Sequence, residues 1–156
     1  MIIRAQDMLI FFITINGSGS WNAAYCSLPP SYGKCSNKTQ SWYYHPETRN
    51  CRMFTYTGCG GNENRFTSEM SCQWYCLPSN KLKKAVCSRY KHAEKCYGRT
   101  ERWYFDHMNN TCHQFKDGYC GVVPNRFNSC SECITRCSDA DPNVVCGTTA
   151  DTRNAQ

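Results

Sequence analysis

Long apolar runs are almost missing from this chain, and so are the sequence signatures of catalysis. The longest apolar stretch, Leu9-Ile-Phe-Phe-Ile-Thr-Ile15, falls far short of the roughly 20 residues that span a bilayer. It follows a short leader with one basic residue, Arg4, and precedes the small residues Gly17-Ser-Gly-Ser20, so residues 1–20 are expected to be a cleaved signal peptide and the mature product a soluble, secreted protein with no transmembrane segment. There is no Gly-x-Ser-x-Gly elbow, no phosphate loop and no His-Glu-x-x-His pair. His45, His92, His107 and His113 fall in turn-like stretches and strand ends without an evident catalytic partner. An enzyme is therefore not expected, nor a cofactor or a bound metal.

Acidic residues are also scarce, 12 against 18 Lys and Arg, leaving a net charge of +6. The excess is spread thinly, +2 over 26–76 and +3 over 87–137, which gives no reason to expect nucleic acid as a partner. Only the segment 77–86, with Lys81, Lys83 and Lys84, concentrates it. Those lysines suit an anionic partner such as a sulfated glycan or a membrane surface, or else form a plain solvated spacer.

What the chain has in quantity is cysteine: 14 in 156 residues. Shifting the sequence by 61 residues superimposes Cys26, Cys35, Cys51, Cys59, Cys72 and Cys76 on Cys87, Cys96, Cys112, Cys120, Cys133 and Cys137 without a gap. The same shift pairs Lys34 with Lys95, Trp42-Tyr43 with Trp103-Tyr104, Phe54 with Phe115, and Asn64-Arg65-Phe66 with Asn125-Arg126-Phe127. This is a duplication. Each copy holds about fifty residues, a size at which apolar burial alone is marginal and cross-links supply the rest, and disulfides at this density require an oxidising compartment.

The expected organisation is a domain over 26–76, a basic linker over 77–86, a second domain over 87–137 and a polar tail over 138–156. In the first copy Trp42-Tyr43-Tyr44 and Arg52 to Tyr56 read as two strands joined through His45 to Asn50; in the second, Arg102 to Phe105 and His113 to Phe115 are joined around Met108 to Asn110. From Thr67 to Tyr75 a short helix is expected, with Ser68 and Glu69 in cap-like positions and Cys72 and Cys76 one turn apart.

Six cysteines alone allow 15 pairings. The spacing C-x8-C-x15-C-x7-C-x12-C-x3-C, twice over and with the repeated aromatic and Asn-x-Phe positions, resembles the Kunitz bovine-trypsin-inhibitor family. The resemblance covers both copies. It implies a small disulfide-rich α+β fold, a twisted hairpin with a C-terminal helix in each copy, and pairings Cys26 to Cys76, Cys35 to Cys59 and Cys51 to Cys72, then Cys87 to Cys137, Cys96 to Cys120 and Cys112 to Cys133. Each such bridge stabilises by roughly 3 to 4 kcal/mol through the unfolded chain. Cys130 and Cys146 are left over; they are expected to pair and staple the tail to the second domain, with an intermolecular bridge through Cys146 as the rival. A redox or zinc role for Cys130-Ser-Glu-Cys133 is the minor alternative, since the implied pairing commits Cys133 and the compartment is oxidising.

The resemblance also implies a binding loop around the second cysteine of each copy, with the residue after it entering a serine protease's specificity pocket and the loop already fixed in extended form before docking. In the second copy the contact residues are Lys95, Tyr97, Gly98 and Arg99, with Tyr97 the pocket residue and a chymotrypsin-like target. Glu94 and Tyr119 stand where the family has glycine and put the loop geometry in question. The first copy keeps Gly33 and Gly58 but offers Lys34, Ser36, Asn37 and Lys38. Asn37-Lys38-Thr39 is an N-glycosylation sequon on the loop itself, so standard inhibition is not expected there. Asn109-Asn-Thr111 is a second sequon, on a hairpin turn.

The architecture resembles the two-domain salivary anticoagulants of ticks, similar to tissue factor pathway inhibitor. That implies a monomer acting on an extracellular clotting protease, with a clotting factor as scaffold for one domain. The competing reading is an ion-channel-blocking or purely protein-binding module using Lys81, Lys83, Lys84, Arg89 and Lys91.

Overall fold

The computed structural model describes residues 23–97, 101–122 and 124–147. The leader over 1–20 and the loop residues Gly98 and Arg99 lie outside them.

In the first repeat, β1 (Thr39–His45) and β2 (Asn50–Tyr56) form an antiparallel hairpin, followed by α1 (Glu69–Cys76). In the second, β4 (Trp103–Asp106) and β5 (Thr111–Gln114) form the hairpin and α2 (Cys130–Cys137) the helix. The second repeat also has a short pair not anticipated from sequence, β3 (Ala93–Lys95) with β6 (Tyr119–Gly121). The tail holds a single-turn helix, α3 (Pro142–Val145), started by Asp141, whose carboxylate accepts from Asn143 N–H at 2.8 Å.

Aromatic and β-branched residues make the hairpins, and both faces of the first are used. Trp42, Tyr44, Cys51 and Met53 face the helix and the main core, while Tyr43, Phe54 and Tyr56 form a second cluster on the opposite face. Each helix is started by a serine, Ser68 or Ser129, whose hydroxyl accepts an N–H three residues on at 3.0 Å, which satisfies a donor the first turn would otherwise leave open.

The Asn and Phe of the repeated Asn-Arg-Phe act alike in both copies. Buried Asn64 takes the Tyr44 N–H at 2.9 Å and donates to the carbonyls of Leu28 and Tyr44 at 2.7 and 3.0 Å; buried Asn125 takes the Phe105 N–H at 2.8 Å and donates to Arg89 and Phe105 at 2.6 and 2.9 Å. A buried amide with its capacity used in this way fixes strand, loop and amino-terminal segment together. Phe66 and Phe127 bridge to Trp42 and Trp103 through paired backbone bonds.

Seven disulfides are formed: Cys26–Cys76, Cys35–Cys59 and Cys51–Cys72; Cys87–Cys137, Cys96–Cys120 and Cys112–Cys133; and Cys130–Cys146. The buried core is continuous through both repeats, joining Trp42, Met53 and Leu77 with Phe105 and Phe127 by way of the cysteines.

Candidate functional site

Two loops are clamped by equivalent disulfides, and the backbone beneath them differs. In the first repeat Gly33 has φ +83°, and a Cβ there would lie 2.4 Å from the Gly58 carbonyl oxygen, so only glycine fits. Gly58, at φ +84°, accepts from Lys34 N–H at 3.1 Å and Cys35 N–H at 3.3 Å. Behind this crossing the Tyr56 hydroxyl donates to the Gly60 carbonyl at 2.6 Å, and the Arg65 guanidinium stacks 4.1 Å above the Tyr56 ring. Lys34, Ser36, Asn37 and Lys38 are exposed. The Asn37 Cβ lies 3.4 Å from where a Gly58 Cβ would stand, so a glycan on Asn37 would rise beside the loop crossing.

In the second repeat the loop stems form a regular ladder, Ala93 opposite Gly121, Glu94 opposite Cys120 and Lys95 opposite Tyr119. The left-handed conformation moves one residue upstream, to Gly118 at φ +79°, whose carbonyl accepts from Cys96 N–H at 3.0 Å. Glu94 and Tyr119 therefore occupy extended backbone that any side chain tolerates, and the two glycines they replace are not needed. Glu94 lies 3.6 Å from His92 Nε2 at the surface. Asp117 and Arg126 stand where the first repeat has Tyr56 and Arg65, and without the ring a shallow hollow of about 260 Å³ opens beside Glu94, Lys95, Val122 and Arg126. Tyr97, immediately after the clamped Cys96, is fully exposed, and Lys95 is exposed beside it.

The linker is held, which a solvated spacer would not be. Its backbone donates from Lys83 N–H to Gln73 Oε1 at 2.9 Å and from Val86 and Ser88 N–H to the Glu69 carboxylate at 3.1 and 2.9 Å. Glu69 is wholly buried and meets the Arg136 guanidinium at 3.5 Å; Arg136 also donates to the Cys51 carbonyl at 3.3 Å. Burial lowers the Arg136 pKa, and the Glu69 carboxylate opposes that shift. Beside this pair, Asp139 N–H donates to the Met53 carbonyl at 2.9 Å, bringing the start of the tail against β2. The Tyr32 hydroxyl is pushed up to about 12 by its own burial and by Asp139. Tyr43 is raised by burial, partly offset by Arg52.

These junction residues escaped sequence reasoning. Their signal lay in the duplication itself: Glu69 superimposes on Cys130 and Arg136 on Tyr75, so the copies differ in kind where one repeat touches the other. Among the channel-type candidates, Lys91 donates to the Tyr104 hydroxyl at 2.7 Å over its ring, and Arg89 is exposed. Of the histidines, His92 pairs with Glu94, His107 with the Tyr90 ring, His113 with Thr111 and the Tyr104 ring, and His45 with the Thr48 N–H and the Tyr43 ring. The Asn109 side-chain amide donates to Asp106 at 2.8 Å, at the tip of the second hairpin.

A preformed loop tied to a neighbouring strand by a disulfide, in a unit too small to hold a catalytic cleft, defines a class of inhibitor domain rather than of enzyme. The chain belongs to the Kunitz/bovine pancreatic trypsin inhibitor family, whose domain description matches residues 25–77 and 86–138. It is 34% identical over 123 residues to Amblin of Amblyomma hebraeum, covering 78% of this chain and 74% of that one. It is 34% identical over 125 residues to tissue factor pathway inhibitor 2 of Bos taurus, covering 80% of this chain and 53% of that protein. Papilin of Caenorhabditis elegans is 35% identical over 117 residues, covering 75% of this chain but 5% of that much longer protein; for the papilin of Drosophila melanogaster the share is 4%.

Proposed function

We propose that this chain is a secreted serine protease inhibitor whose second repeat inserts Tyr97 into the specificity pocket of a chymotrypsin-like or clotting protease. The observation that carries the reading is Tyr97 itself, fully exposed beside a cysteine that is bridged to Cys120 and held by the β3–β6 ladder. A loop fixed in this way loses little entropy on docking, so most of the contact energy becomes affinity. The relative named tissue factor pathway inhibitor 2 supports a clotting protease as the target.

The first repeat has a different task in this reading. Ser36 offers little to fill a pocket, and a glycan on Asn37 stands in the docking path. This repeat then binds by surfaces away from the loop, for example to a clotting factor that serves as scaffold.

The test is inhibition by the oxidised full chain against chymotrypsin, elastase, trypsin and clotting proteases. Tyr97→Ala is expected to weaken inhibition by about 1,000-fold, roughly 4 kcal/mol, and Ser36→Ala to change nothing. Absence of inhibition across the panel would sink the reading and leave a channel-blocking or purely protein-binding module.

A further inference from the structure

Helix α1 carries an apolar edge that the protease reading does not use. Met70 and Trp74, one turn apart, are 46% and 64% exposed, and Tyr75 on the far edge is 56% exposed and stacks on Phe66. Large aromatic and thioether side chains left in water on one helix face mark a contact surface. The same positions in the second repeat are Ser131, Thr135 and Arg136.

The basic linker runs beside this edge. Glu69 and Gln73 form the neighbouring row of the helix, and the linker is bonded along it, Lys83 at the level of Gln73 and Val86 at the level of Glu69. Lys81, Lys83 and Lys84 are exposed, and neither the Glu69–Arg136 nor the His92–Glu94 ion pair uses them. From residue 69 to residue 86 the one carboxylate is Glu69, which is buried. The surface therefore combines an exposed Trp and Met with three exposed lysines, and the helix and linker that form it, residues 69–86, carry no exposed carboxylate.

We infer that this face docks on an anionic phospholipid surface, with Trp74 and Met70 entering the headgroup region and the linker lysines on the lipid phosphates. Tryptophan and lysine together suit the interface of a bilayer with negative headgroups. A sulfated polysaccharide would engage the lysines and leave Met70 and Trp74 in water. A protein partner would suit Met70 and Trp74 but not the three lysines, since lysine is depleted at protein interfaces, whereas lipid phosphates take the lysines as well. The consequence is an inhibitor concentrated on membranes that expose acidic lipid.

The experiment uses the oxidised full chain and vesicles of phosphatidylcholine with and without phosphatidylserine, read by co-sedimentation and by quenching of tryptophan fluorescence with brominated acyl chains. Binding is expected only to the acidic vesicles. Replacing Lys81, Lys83 and Lys84 together by Gln should weaken it on the order of 100-fold. Met70→Ser with Trp74→Ser should weaken it about 10-fold and abolish quenching. Both sets of side chains are at the surface, so the variants fold, and unchanged near-ultraviolet circular dichroism checks this. Equal binding to both vesicle types, no binding, or acidic-vesicle binding indifferent to Met70 and Trp74 overturns the inference. So does lysine-dependent retention on heparin by a chain that ignores vesicles.

Discussion

Each repeat starts its helix with a residue that reaches the chain following it, and the two repeats do this with different chemistry. In the first, Glu69 is buried and gathers the N–H groups of Val86 and Ser88 together with Arg136, so the linker and the second repeat are held by hydrogen bonds and charge. In the second, the same position is Cys130, and the tail is held by a covalent bond to Cys146. The difference follows what each has to hold. The first repeat has a whole folded unit to bury its carboxylate against, whereas the tail helix Pro142–Val145 has no buried residue, and a covalent link does there what burial does at the junction.

The sharpest way to break this comparison is Glu69→Ala. It leaves Arg136 buried without its carboxylate and three donors without an acceptor, and should cost about 4 kcal/mol, read as a fall in denaturant midpoint and as increased separation of labels on the two repeats. A loss below about 1 kcal/mol would mean that the junction is solvated and the repeats move independently. Replacing Cys130 and Cys146 together by Ser should cost about 3 kcal/mol in the chain-entropy model, with hydrogen exchange showing the tail released beyond Asp139.

The loop bases offer a second contrast at matched positions. Gly33→Ala places a methyl against the Gly58 carbonyl in left-handed backbone and should destabilise the first loop by about 2 kcal/mol. Glu94→Ala, the equivalent change in the second repeat, should stay within about 0.5 kcal/mol because its backbone is an ordinary strand. Comparable losses at the two sites would show that the loops share one geometry after all.

The smallest effect concerns pH. Because folding raises the Tyr32 hydroxyl from 10 to about 12, through burial and Asp139, the fold favours its neutral form. That stabilisation is whole below pH 10 and fades as the pH rises toward 12. Tyr43 and Tyr44, also raised by burial, act in the same direction. Melting temperatures across that window should fall less steeply for Tyr32→Phe than for the parent chain; parallel curves would remove Tyr32 from the junction.

The hairpins, the helices and the repeated Asn-Arg-Phe were legible because each rests on local pattern: strand aromatics, serine caps, and a cysteine spacing that repeats without a gap. The second loop was legible as to residue and misleading as to backbone. Glu94 and Tyr119 looked like damage to a glycine-dependent crossing, and the chain accommodates them by moving the turn to Gly118 and pairing the stems as strands. A one-residue shift of a turn leaves no trace in composition or spacing, since Gly118 would have passed as an ordinary surface glycine.

The sequence by itself determined two stapled units of one fold, their family, and the residues that a loop after each second cysteine presents. Covalent spacing and short-range periodicity are enough for that. Only the tertiary structure decided that the linker lies along α1, that Glu69 and Arg136 meet across 67 positions of sequence inside one continuous core, and that Lys83 is tied to Gln73, the residue next to exposed Trp74. Those contacts depend on how far two rigid bodies approach and which side chains lose water when they do, and neither quantity is carried by any local stretch of the chain.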